Sequence, residues 1–301
     1  MSDWVPVAVL GTVTLGLVNV IDSHLIARRF PSLRAFLLPV SGVVLVWTLI
    51  IMILEPLPAG VSGGALGAAV GSGVIRAVAI GLLLNAYRSE EVSLAVPLYH
   101  TYPVFVVLMA APLLGESLAP TQWLAVAVIL AGTLLIAVRR GPAGFRWRMK
   151  PLLLLLTAAA LNAGADVAGK YALGEISFWN MYWIGSACLV VMYLAFALRR
   201  PVLRELAALP SPGRLGAFII FNETLAMVGI LLVYQAMASG PVSLVSAITG
   251  ARPIFVLLLV LVANWLLPGA LLREETSRRA MMYRLGATVL IGGGIALIYL
   301  S

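Results

Sequence analysis

The sequence predicts an all-α membrane protein of ten transmembrane helices, arranged as two inverted five-helix repeats. Three observations carry this expectation. Hydrophobic residues make up 62% of the 301-residue chain and charged residues only 11%, well below the roughly 25% charged of an ordinary globular domain. Apolar runs recur from end to end, and about 20 such residues suffice to cross a hydrocarbon core of roughly 30 Å as a helix. The two halves of the chain also echo each other in sequence.

Apolar continuity, broken by Pro, Gly and charge clusters, places the spans at 4–24, 35–54, 63–86, 92–114, 121–138, 151–169, 177–198, 215–237, 243–266 and 284–300. Connections are short, which leaves no room for a soluble domain. In the connection 199–214, the stretches Arg200-Pro201-Val202-Leu203 and Leu209-Pro210-Ser211-Pro212 read as turns at a membrane surface. The organisation is therefore a first repeat over 1–138, a basic cytoplasmic linker over 139–150 and a second repeat over 151–301.

Charge orients the bundle. Of the 20 Lys and Arg, 17 fall after spans 1, 3, 5, 7 and 9, from Arg28, Arg29 and Arg34 to Arg273, Arg278, Arg279 and Arg284. The opposite loops hold only Lys170, while Arg76 and Arg252 lie within spans. By the positive-inside rule, the odd loops are cytoplasmic and both termini extracytoplasmic. The net charge of +8 is thus an orientation signal and not a nucleic-acid surface. The N-terminus, Met1-Ser2-Asp3-Trp4, lacks a basic n-region, so no cleaved signal peptide is expected, and no lipidation motif is found.

The echo between halves is specific in places. Aligning 72–114 on 222–264 without gaps matches 12 of 43 positions, including Val92-Ser93-Leu94 with Val242-Ser243-Leu244 and Pro103 with Pro253. Asn19 and Asp22 near the end of span 1 likewise echo Asn162 and Asp166 near the end of span 6. An odd number of spans per half inverts the second half in the bilayer, and inverted repeats are a transporter architecture with substrate held near the midplane.

The stretch Val92 to Phe105, with Leu114-Gly115-Glu116, Thr121-Gln122-Trp123 and Ala131-Gly132-Thr133, resembles the EamA repeat of the drug/metabolite transporter superfamily. The second half carries the pattern more weakly: Asn264 and Trp265 stand where a Gly-Glu pair would follow, and Arg273 to Arg279 form an insertion. The resemblance implies a secondary transporter in the cell (inner) membrane and export as the direction. It leaves the substrate open among amino acids, nucleosides, sugars, drugs and lipid-linked intermediates. Members of the family are often drawn with both termini in the cytoplasm; the charges here put them outside.

Charged side chains inside spans need a partner or a wet cavity. Arg76, Glu223 with Asn222, Arg252 and His100 are the candidates deepest in the bilayer, with Asp166 and Lys170, and Asp22 and His24, nearer span ends. Tyr99, Tyr102 and Pro103 share a face of span 4 at i, i+3, i+4, and the repeat maps them onto Thr249, Arg252 and Pro253. On this reading Arg252 with Tyr99, Tyr102, His100 and Arg76 binds the anionic end of a small metabolite in forked geometry. Glu223 with Asn222 takes an ammonium group or a coupling proton, and Asp166 and Asp22 are further coupling candidates. A zwitterion such as an amino acid suits this pairing.

Structural alternatives stand beside each reading. Arg252 and Glu223 could neutralise each other, Asp166 and Lys170 could pair at i, i+4, Arg76 could pair with Asp22 or Glu223, and His100 could be a packing residue. At the level of the whole chain, a flippase for a lipid-linked intermediate and a non-transporting scaffold are the rivals. Enzyme chemistry has no footing: no His-Glu-x-x-His and no Gly-x-Ser-x-Gly occurs, motifs that metalloproteases and hydrolases need. Two histidines and one cysteine, Cys188, build neither a metal site nor a disulfide. No cofactor, metal or nucleic acid is expected; the partners are a small-molecule substrate and the lipid bilayer, with the protein a monomer or homodimer.

Overall fold

A computed structural model describes residues 3–86, 99–137, 149–209, 212–266 and 278–300. Among them every regular element is a helix: α1 Trp4–Arg28, α2 Leu33–Leu54, α3 Gly63–Ala86, α4 Tyr102–Leu114, α5 Pro120–Ala137, α6 Met149–Ala172, α7 Phe178–Ala197, α8 Arg200–Ala207, α9 Pro212–Ser239, α10 Val242–Gly250, α11 Arg252–Leu266 and α12 Arg278–Leu300. By length and composition seven segments are able to cross a membrane, and Tyr102–Leu114, Pro120–Thr133 and Leu285–Leu300 are shorter apolar helices. All but two residues of the expected linker 139–150 and of 92–98 in span 4 lie outside the described residues, the exceptions being Met149 and Lys150 at the start of α6.

Helix α3 shows two faces. On α3, Ala65, Ala69, Ser72 and Ala79 are buried, and Arg76 falls in the same helical register; this 3–4 spacing is the stripe of one helix face. Val70, Val74 and Val78 point outward, as suits a side facing lipid. The guanidinium is thereby turned into the bundle among small residues.

Packing pairs α1 with α9 and α11, α2 with α7 and α9, α3 with α6 and α7, α4 with α6 and α10, and α5 with α12. The α5–α12 pair is close because both helices present glycine: a Cβ at Gly132 would lie 2.7 Å from Ile291 Cγ1, and one at Gly294 would lie 2.6 Å from Ile129 Cγ1. Small residues at such contacts let backbones approach, which is how helices associate in lipid. All nine residues of α10 are buried. That short helix packs against α1, α4, α5, α6, α9 and α11.

Three expectations need correction. Span 4 is not one helix through Tyr99: α4 begins at Tyr102, after a turn at His100 and Thr101, so Tyr99 precedes the helix that carries Tyr102 and Pro103. Span 9 is likewise split at Ala251 into α10 and α11. The cause is the same in both. A proline lacks the N–H that would bond the carbonyl four residues back, so Pro103 and Pro253 each sit in a first turn. Just before that turn stand Thr101 (φ −79°, ψ −2°) and Ala251 (φ −76°, ψ 2°). Val104 N–H then bonds Thr101 O at 3.0 Å and Ile254 N–H bonds Ala251 O at 3.0 Å. Third, 199–214 is not only turns. Pro201 stands in the first turn of α8, where proline is tolerated, and Val202 is buried against Leu25, Phe36 and Ile219.

Candidate functional site

Two polar clusters lie inside the bundle. The first is built by α3, α6, α10 and the two helix breaks. Arg76 Nη2 donates to Asp166 Oδ1 at 2.8 Å and Nη1 donates to Asn162 Oδ1 at 3.2 Å. Asn162 and Asp166 stand at i, i+4 and so share the face of α6 that meets α3. The second carboxylate oxygen of Asp166 accepts from Ser246 Oγ on α10 at 3.0 Å. One turn later on α10, Thr249 Oγ1 meets Tyr102 Oη at 2.5 Å and donates to Ser246 O at 3.1 Å. Since the threonine proton goes to the carbonyl, Tyr102 donates to Thr249.

Arg252, the first residue of α11, stands beside this network. Its Nε is buried and has no hydrogen-bond partner among the described residues. It lies within electrostatic reach of Tyr99, Tyr102, Asp166 and Arg76. His100 is buried, with its ring edge-on to Tyr99 at 5.7 Å and tilted to Tyr102 at 6.4 Å, and its Nδ1 also lacks a partner. Gly250 makes the close fit possible: a Cβ there would lie 2.5 Å from Pro103 Cγ. The cluster thus holds two guanidinium groups against one carboxylate.

The second cluster joins α1 and α9. Asn222 Nδ2 donates to Asp22 Oδ1 at 2.7 Å and to Glu223 Oε1 at 3.3 Å. Asn222 and Glu223 are buried. Asp22 and Glu223 lie within electrostatic reach of each other and of the Tyr193 hydroxyl, which is also within reach of Tyr99 in the first cluster. Among the described residues no cation forms an ion pair here.

The structure therefore brings Tyr99, His100, Tyr102, Arg252 and Arg76 together, and separately Asn222, Glu223 and Asp22. Asp166 joins the first group and not the second. The ion pair between Arg252 and Glu223 does not form, and neither does one between Arg76 and Asp22 or Glu223: the ion pair among the described residues is Arg76 with Asp166. Nor does Asp166 pair with Lys170, whose Nζ donates to Met237 O at 2.6 Å and Gly240 O at 2.9 Å. The carbonyls at the end of α9 claim that ammonium, as helix C-termini do. Sequence reasoning missed Ser246 as the second partner of Asp166; its i−3 spacing from Thr249 was the available signal. Among the described residues no three His, Cys, Asp or Glu side chains gather as metal ligands.

Long apolar helices around buried polar clusters define a multi-pass membrane protein. Residues 3–138 match the model of the EamA-like transporter family, so this part of the chain is similar to that family of membrane transporters. A solved structure described only as a crystal structure of a protein superposes with a TM-score of 0.72, over 97% of this chain and 98% of that one, at 17% identity; it shows the shared fold alone. A search of the curated proteins returns no match.

Proposed function

We propose that the protein is a secondary transporter that exports a small metabolite by alternating access, with an amino-acid-like zwitterion the best-suited substrate. The observation that carries the reading is the charge imbalance of the two clusters. Among the described residues Arg76 and Arg252 face one carboxylate, Asp166, which pairs with Arg76 and leaves Arg252 without an ion pair; the Nε of each arginine lacks a hydrogen-bond partner. A buried cation without a counter-charge is costly in a membrane interior, and a substrate carboxylate held by the guanidinium fork removes that cost. Asp22 and Glu223 share one amide donor, and no cation among the described residues pairs with them; an ammonium group or a coupling proton balances them. Tyr193 is within electrostatic reach of Asp22 and Glu223 in one cluster and of Tyr99 in the other.

The ten-span inverted repeat belongs to this reading, and the packing supports it. Exchanging the halves turns α1 on α9 into α6 on α3, α4 on α6 into α11 on α1, and α3 on α7 into α9 on α2, and all of these pairs occur. The pairs α2 with α7 and α5 with α12 map onto themselves. Alternating access follows when such halves rock around a fixed site. The arginine-rich loops face the cytoplasm and both termini the outside, in the inner or plasma membrane.

The test is a thermal-stability screen of the detergent-purified protein against amino acids, nucleosides, sugars, organic cations and polyprenyl phosphates. A ligand of the folded state raises stability by about 2.7 kcal/mol at a hundred times Kd. The expected result is a shift from amino acids that Arg252→Ala abolishes while the variant stays folded. A shift from amino acids that survives in Arg252→Ala overturns the site, and one from polyprenyl phosphates alone moves the reading to a flippase.

A further inference from the structure

The N-terminus of α10 is held from outside its own half. Its capping position is Pro241, whose side chain makes no cap bond. Instead, Glu116, in the connection between α4 and α5, accepts Val242 N–H on Oε1 at 2.6 Å, and Ser243 N–H at 3.2 Å and Ser243 Oγ–H at 2.6 Å on Oε2. At the preceding helix end, Lys170 donates to Met237 O, Ala238 O and Gly240 O. Lys170 and Glu116 also lie within electrostatic reach of each other. Trp4 of α1 covers the joint: a Cβ at Gly240 would lie 2.5 Å from its Cδ2. The α9–α10 joint is thus pinned from both ends by opposite charges, the carboxylate meeting backbone N–H groups and the ammonium meeting carbonyls, as the helix dipoles favour.

We infer that Glu116 and Lys170 form a clasp that seats α10 and closes the site on the face opposite the arginine-rich loops, and that it must open when the halves separate there. Both are positioning residues. The clasp acts on substrate only through what α10 carries: Ser246 against Asp166, Thr249 against Tyr102, and Arg252 one residue beyond its end. Its consequence for binding rests on the site proposed above; its existence does not. The structural argument is that Glu116 caps the helix across the halves, so separating them leaves two N–H groups of α10 bare. Such groups hold a helix terminus together only while a partner is present.

The experiment uses the full chain in nanodiscs with Cys188→Ala and Ala247→Cys, a wholly buried position of α10, and follows labelling by a membrane-impermeant maleimide. Loss of an N-cap carboxylate is expected to raise the labelling rate about tenfold in Glu116→Ala. Glu116→Asp, which keeps the charge, labels more slowly than Glu116→Ala, and Lys170→Met also labels faster than the parent. Unchanged labelling in Glu116→Ala and Lys170→Met overturns the clasp. Where Glu116→Ala fails to fold, Lys170→Met and Glu116→Asp carry the same test. Faster labelling in a protein that no ligand stabilises supports the clasp and defeats the substrate site alone.

Discussion

The two broken spans have nearly the same backbone and opposite chemistry. In each, a proline one residue into the helix follows a residue near φ −78° and ψ 0° (Thr101 at −79° and −2°, Ala251 at −76° and 2°). The residue between them, at equivalent register, is Tyr102 in one half and Arg252 in the other. Tyr102 spends its hydroxyl on Thr249 at 2.5 Å, whereas the Nε of Arg252 has no partner among the described residues. Repetition supplies the same kinked frame twice, and a single side-chain difference gives one copy a packing role and leaves the other with charge to spare. The two intramembrane arginines differ in their ion pairing: Nη groups of Arg76 donate to Asp166 and Asn162, although its Nε, like that of Arg252, has no partner among the described residues.

The largest expected effect tests that second contrast. Removing one partner of a buried pair strands the other charge, at a cost of about 3–5 kcal/mol. Asp166→Ala strands Arg76 and also frees Ser246, so its melting temperature in detergent should fall steeply. Arg252→Ala removes a charge with no ion pair among the described residues and should leave the melting temperature unchanged or higher. Equal losses in the two variants would break the distinction between a held and a free guanidinium.

The frame comes next. Pro103→Ala and Pro253→Ala each restore an N–H able to bond the carbonyl four residues back, which straightens the break. Transport in proteoliposomes should slow several-fold in both while ligand-induced stabilisation persists, and more so for Pro253→Ala, because Arg252 is displaced with it. A loss of binding with normal stability in Pro103→Ala alone would show that the two breaks are not equivalent. Smaller still is Tyr102→Phe, which costs one hydrogen bond, about 1 kcal/mol, read as a modest drop in melting temperature.

What the sequence made legible follows from the range of the forces involved. Apolar length is local, so α2 and α3 and the span 177–198 begin and end within two residues of their expected limits. The breaks at Thr101 and Ala251 were marked by Pro103 and Pro253, yet continuous apolar runs on both sides concealed that the helix stops there. Helix α8 was hidden by its arginines: Val202 and Leu206 pack inward while Arg200 and Arg204 stay outside, a pattern too short to outweigh the prolines around it. That the intramembrane charges gather inside the bundle was legible because charge inside a span is costly wherever it occurs. Partnership was not. Arg76 meets a residue 90 positions away, and Lys170 meets backbone carbonyls, which every residue offers and no motif announces.

The smallest effect sits at the surface, where the two halves are joined by hydroxyl–carboxylate contacts. Ser32 Oγ donates to Glu205 at 2.6 Å, while Ser62 donates to Glu175 from both N–H and Oγ, each at 2.8 Å. The two Ser62 bonds favour the ionised form and hold the exposed Glu175 carboxyl below its ordinary range. A carboxyl lowered in the folded state stabilises above its unfolded value, and that contribution disappears as pH falls through the lowered value. The melting temperature of wild type should therefore exceed that of Glu175→Gln slightly at about pH 7, and the two should converge towards about pH 3. Solvent and salt weaken such exposed contacts, so the difference should be far smaller than for Asp166→Ala. A gap of comparable size would mean that the joint between α3 and the start of α7, and not the buried arginine pair, holds the halves together.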